Sequence, residues 1–142
     1  MKKYTLDAEY DFDFFMIAIC SQIKDYRLAW FINKTLEINF EKTDNHCVFI
    51  RKADPEPSEF SMYIYNEEEN HSQFILLSNH SETGDLLIEL KQFDYFIIIN
   101  GTLFDEQNDS ILKAVRSINS VLLVKEIEPS LLKSKNNLIF DI

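Results

Sequence analysis

Four successive large apolar residues, Phe96-Ile97-Ile98-Ile99, constrain this chain more than any other feature. A strand with one wet face alternates apolar and polar residues. The stretch Phe93 to Asn100 is instead apolar at consecutive positions, as in a strand buried on both faces. It belongs near the middle of a sheet.

The polar cluster just before it lies in Leu87-Ile88-Glu89-Leu90-Lys91-Gln92-Phe93-Asp94-Tyr95. On a strand, Asp94 and Tyr95 point to opposite faces, so they share a pocket only if the strand begins after them. Asp94 suits the strand entrance, where its carboxylate can accept backbone hydrogen bonds, and Tyr95 suits burial with its hydroxyl paired. Packing gives Glu89 no such duty, which makes it the first residue to mutate.

Around this stretch the elements follow from spacing. Residues 3 to 10 alternate as a half-buried first strand, and Phe12, Phe15, Met16, Ile19, Cys20 and Ile23 recur at helical intervals. That predicted helix, Phe12 to Ile23, lacks a wet face and calls for a central position or a second subunit over it. A second helix is predicted from Asp25, as cap, through Leu36. Three strands, His46 to Lys52, Glu59 to Asn66 and Phe74 to Asn79, read as an antiparallel meander. The loop Asp54-Pro55-Glu56-Pro57 separates the first two, and the charged tip Asn66-Glu67-Glu68-Glu69-Asn70 the last two. In the middle strand Phe60, Met62 and Ile64 oppose Tyr63 and Tyr65, so both faces carry apolar area and one is available to a partner.

Gly101 ends the central strand. Phe104, Asn108, Ile111, Val115 and Ile118 then mark one face of a helix, and Val121 to Ile127 a further strand. Pro129 opens a last short segment whose Leu138-Ile139-Phe140 is expected to dock on the body. The strand, helix and strand form a crossover unit similar to half of a ferredoxin-like module. The expected fold is a single α+β domain over residues 1–142: a mixed, mainly antiparallel sheet with helices chiefly on one face.

With 24 acidic against 14 basic residues, the net charge of −10 argues against nucleic acid or anionic lipid as partner, and leaves a basic protein as one that fits. The longest apolar run, Phe14 to Cys20, is too short to span a bilayer, where about 20 residues are needed. Cys20 and Cys47 sit in apolar runs and read as small buried hydrophobes of a reducing, cytoplasmic compartment.

Residue spacing supports few chemistries. Asp7, Glu9, Asp11 and Asp13 alternate, but same-face neighbours on a strand lie roughly 7 Å apart, too far to share one ion. His46, His71 and His80 form no zinc-type pair, and two glycines cannot build a phosphate loop. No metal and no cofactor is expected. The strand-to-helix turn Asn100-Gly101-Thr102 still offers backbone amides to an anion.

The stretch Leu87 to Tyr95 resembles the signature of the IPExxxVDY family of small bacterial proteins, with Glu89, Asp94 and Tyr95 matching and Leu87, Ile88 and Phe93 replacing its Ile, Pro and Val. Tyr10-Asp11-Phe12-Asp13-Phe14, the segment Lys24 to Asn33 and the segment Leu132 to Phe140 also look like family stretches. The resemblance implies a cytoplasmic bacterial protein and carries over no catalytic residue.

The expected function is a non-enzymatic interaction or regulatory module that forms a homodimer. The alternative is a sensor of an anion or amino acid, bound by Glu89, Asp94, Tyr95, Gly101 and Thr102. A third is a carboxylate hydrolase using Asp7, Glu9 and Asp11, or Glu89 and Asp94.

Overall fold

The computed structural model describes residues 12–69, 71–101 and 105–140. The expected strand at residues 3 to 10, the acids Asp7, Glu9 and Asp11, and Thr102 lie outside the described residues. In chain order the strands are β1 (Phe15–Ser21), β2 (Glu41–Lys42), β3 (His46–Val48), β4 (Ser58–Phe60), β5 (Met62–Glu67), β6 (Ser72–Ser78), β7 (His80–Ser81), β8 (Gly84–Asp85), β9 (Tyr95–Asn100) and β10 (Val121–Ile127). The α-helices are α1 (Asp25–Leu36) and α2 (Asp105–Arg116), and single 3-10 turns cover Ile88–Leu90, Pro129–Leu131 and Lys135–Leu138.

Six strands form the main sheet in the order β10-β1-β9-β6-β5-β2, and two small ribbons pair β3 with β4 and β7 with β8. As expected, β9 lies inside the sheet, between β1 and β6. The expected helix Phe12 to Ile23 is corrected: Phe15–Ser21 is a strand, bonded to β9 on one side and to β10 on the other. Seven consecutive apolar residues satisfy a helical and an extended period alike, so spacing could not decide between them. As a central strand the segment buries Met16 and Ala18 on one face and Ile17 and Ile19 on the other. Its backbone groups are paired on both sides as well. Each such fully buried Ile contributes roughly 1.5–3 kcal/mol.

The α+β class and the mainly antiparallel sheet are as expected, and every pairing among the described strands is antiparallel. β9 and β10 do run parallel to each other across α2, but β1 lies between them. The connection from β1 through α1 to β6 has the same form, with β9 inserted. Strand order β10-β1-β9-β6, with helices after β1 and after β9, is therefore the full split arrangement of a ferredoxin-like module, extended at one edge by β5 and β2.

The meander is also revised. The expected strand Glu59 to Asn66 divides at Ser61, so that β4 joins β3 in a separate ribbon while β5 pairs with β6 in the main sheet. α1 has Lys24 rather than Asp25 at its N-cap, and Asp25 sends its carboxylate to Ser61 Oγ and Tyr63 Oη.

Both helices cover one face. Leu28, Ala29 and Ile32 of α1 and Val115 of α2, with Ile118 beyond it, meet Ile17, Ile19, Leu76, Ile97 and Ile99. The other face is covered by irregular structure: Phe60 of the ribbon, Leu86, Leu87 and Phe93 of the stretch before β9, and Leu138 of the C-terminal segment pack on Met16, Ile75, Phe96 and Ile98. The strand Phe60 to Tyr65 thus has both sides covered by its own chain, Met62 by the irregular layer and Tyr63 by the helical one.

Candidate functional site

The stretch before β9 is tied down by three residues, each to a different part of the molecule. Glu89 accepts from the Ser134 backbone N–H at 2.9 Å and from the Ser134 hydroxyl, so it holds the C-terminal segment. Asp94 accepts from the Ser21 N–H at 2.9 Å through one oxygen, while the other faces His80 Nε2 at 3.1 Å. Tyr95 donates its hydroxyl to the Ile23 carbonyl at 2.6 Å, fixing the turn that leads into α1. These are the residues expected to match the family signature, and each is a staple.

Electrostatics agree with those roles. Burial pushes the Glu89 carboxyl up, but hydrogen bonds from the Ser134 hydroxyl and from backbone N–H groups, that of Ser134 first, outweigh it and hold the group below its ordinary range. Burial, then the negative charges of Asp25 and Asp94, push the Tyr95 phenol up to about 12. Tyr63 is pushed up to about 12 by burial and by Asp25. Both phenols stay protonated donors near neutrality.

A cleft of about 320 Å³ opens at this end of the sheet, lined by Ser21, Gln22, Ile23, Ser78, His80, Asp94 and Tyr95. His80 stands at its rim between two carboxylates, with Asp85 Oδ1 2.8 Å from Nδ1. The neutral imidazole can donate only one of these two bonds. Asp94 lines the cleft and Glu89 does not, so these two carboxylates are not brought together there. The strand separates the remaining candidates further: Gly101 follows the far end of β9, about 20 Å from Asp94 at the rise of an extended strand. Gly101 has φ +127°, and a Cβ there would stand 2.8 Å from the Ser72 Cα and 2.9 Å from the His71 carbonyl oxygen. Its absence of a side chain lets β9 leave the sheet edge to edge with the β5–β6 hairpin.

Sequence reasoning missed the residue that organises the stretch from within, Asn79. Fully buried, it donates through Nδ2 to the Leu90 and Phe93 carbonyls and accepts at Oδ1 from the Leu87 N–H. Its own N–H reaches the Asp94 carbonyl, and its carbonyl receives the Leu86 N–H. A lone Asn at the end of an apolar strand is the available signal, since such a side chain can satisfy a tight loop that lacks regular pairing.

The cysteines divide. Cys20 is half-buried on β1, donating to the Gln92 carbonyl, and burial followed by the Asp94 charge raises its thiol pKa. Cys47, expected to be buried, is exposed, because it points away from the core-facing His46 on a two-stranded ribbon. Among the described residues no three His, Cys, Asp or Glu side chains gather as a metal site, and no helix is long and apolar enough to cross a membrane.

Large apolar side chains reach solvent at several places, singly at Phe49, Ile88 and Leu131 and in pairs on α1 and β10. On α1, Tyr26 is 60% and Trp30 56% exposed; on β10, Leu122 is 68% and Leu123 52% exposed. A scan against family models, a search of curated proteins and a search of solved structures each find no match to the chain.

Proposed function

We propose that this chain is a non-enzymatic interaction module that pairs with a second copy along β10. The observation that carries the reading is the contrast between the two edges of the main sheet. β2 is a two-residue edge, short enough to discourage pairing, whereas β10 runs for seven residues with Leu122 and Leu123 exposed. Among the described residues, β10 is paired on one side only, to β1.

A second copy suits this edge because Leu122 and Leu123, which point to opposite faces of it, are both exposed. Antiparallel pairing about a two-fold axis sets same-face residues opposite one another, so Leu123 can face its own counterpart and Leu122 the Val124 of the other copy. The features that first suggested a dimer, the run Phe12 to Ile23 and the strand Phe60 to Tyr65, are covered within one chain and no longer support it.

The expected outcome is a dimer by light scattering at tens of micromolar. Leu123→Lys should weaken association roughly tenfold by setting like charges opposite one another, whereas Leu123→Ile should leave it unchanged. A monomeric parent protein, or undiminished association of Leu123→Lys, would end the proposal.

A second reading, a small-ligand sensor, is favoured by the cleft at Asp94 and His80. Its lining carries a carboxylate and no Lys or Arg, so an amine fits it better than the expected anion. An amine that raises the melting temperature of the parent but not of Asp94→Asn would support this. Cytoplasmic location and membership of the IPExxxVDY family belong to the same proposal and rest on the sequence; the three staples are consistent with a signature kept for structure.

A further inference from the structure

The outer face of α1 departs from the charge of the whole chain. Acids outnumber bases 24 to 14 overall, yet the exposed residues from Lys24 to Thr35 include Lys24, Arg27 and Lys34 and no carboxylate. The one acid in that segment, Asp25, is turned inward to Ser61 and Tyr63, and Glu37 lies beyond the helix C-terminus.

Rings and cations are interleaved on this face. Lys34 Nζ sits 4.7 Å from the Trp30 ring centroid, and the Arg27 guanidinium 5.9 Å from that of Phe31. Trp30 and Phe31 themselves meet edge to face at 5.1 Å. Tyr26, Arg27, Trp30 and Phe31 enclose a groove of about 310 Å³, large enough for one or two apolar side chains. A tryptophan left more than half exposed beside such a groove is the residue type that anchors protein interfaces.

We infer that α1 is a docking face for an acidic segment of a partner protein, one that inserts an apolar anchor between Tyr26 and Trp30 and sets its carboxylates against Arg27 and Lys34. Charge complementarity selects this occupant, since a cationic, ring-lined patch attracts acidic peptide. The inference deepens the reading as an interaction module by naming a partner class. It does not depend on dimer formation through β10.

Trp30 is the chain's single tryptophan, so its fluorescence reports on this face alone. The probe is a synthetic peptide of alternating Glu and Leu residues, with a Gln-for-Glu version and a Glu-and-Ala version as controls. The expected result is a saturable blue shift of Trp30 emission with the acidic, Leu-bearing peptide, weakened by salt. Both controls should bind at least about tenfold more weakly, as should Arg27→Glu/Lys34→Glu, whose circular dichroism should match the parent because both side chains are exposed.

Equal binding of the Gln peptide, or undiminished binding by the charge-reversed variant, would overturn the inference. So would a single-stranded oligonucleotide that shifts Trp30 more strongly than the peptide, because cations and rings also serve bases. Light scattering on Leu123→Lys separates the two proposals. If the monomeric variant still binds peptide, docking stands without the dimer; if the dimer forms but no peptide binds, docking fails alone.

Discussion

On the helix-covered face of the sheet, Leu28 and Ile32 of α1 and Val115 of α2 meet Ile17, Leu76 and Ile97 chiefly through apolar contact. On the opposite face the apolar residues Leu86, Leu87, Phe93 and Leu138 sit on segments with almost no regular structure, and buried polar groups hold those segments in place. Asn79 satisfies the loop before β9. Glu89 and His46 hold the C-terminal segment, His46 by donating from Nε2 to the Asn137 carbonyl at 2.7 Å. A helix satisfies its own backbone and needs only a greasy stripe, whereas an irregular layer must find a partner for each N–H and C=O it buries. The two faces should fail in different ways.

The largest effect is expected from Asn79→Ala, which strips three side-chain hydrogen bonds from buried backbone groups and should cost about 3–5 kcal/mol in urea unfolding. On the helical face, Leu28→Ala removes a fully buried side chain, and about 3 kcal/mol is expected from lost burial and the cavity left behind. Should Asn79→Ala prove milder than Leu28→Ala, the claim that polar staples hold the irregular face would be lost.

Acid should act on one face only. Burial lowers the His46 pKa against the opposing bond to Asn137, so below the ordinary value of 6.5 the unfolded chain binds a proton that the folded one refuses, and stability falls. Glu89 has its pKa lowered too; its contribution is complete above 4.5 and disappears as pH drops through the folded value. Both changes loosen the C-terminal segment. Between pH 7 and pH 4, amide protection factors at Asn137 and Ile139 should decrease while those of α1 hold. Uniform loss over both faces would contradict this. Smallest of all, Trp30→Ala should change stability by under about 0.5 kcal/mol, since the ring is more than half exposed.

The same contrast explains what the chain discloses before it is folded. α1, β9, β10 and the start of the crossover helix are legible because each has a clear period or breaker: Leu28 and Ile32 at helical spacing, Tyr95 to Ile99 apolar throughout, Gly101 between them and the helix. β1 is not, since its seven apolar residues in a row fit a helical and an extended period alike, whereas Asp94 and Asn100-Gly101 bound the run of β9 at strand length. The site was legible in composition only. Glu89, Asp94 and Tyr95 were singled out, but their partners Ser134, Ser21 and Ile23 lie 45, 73 and 72 residues away, and no local pattern reports pairings of that range. Asn79 escaped notice because its function is to satisfy backbone groups, whose positions exist only once the loop is closed.

The placement of β1 also sets a timetable. Phe15 is synthesised early and pairs with Ile99, so at about 5–20 residues per second a ribosome exposes the most apolar strand for roughly 4–17 s before its first neighbour exists. Its second neighbour, β10, emerges later still, with Met16 opposite Ile127. A strand buried on both faces of the finished sheet is therefore one that a nascent chain must leave unpaired for that interval.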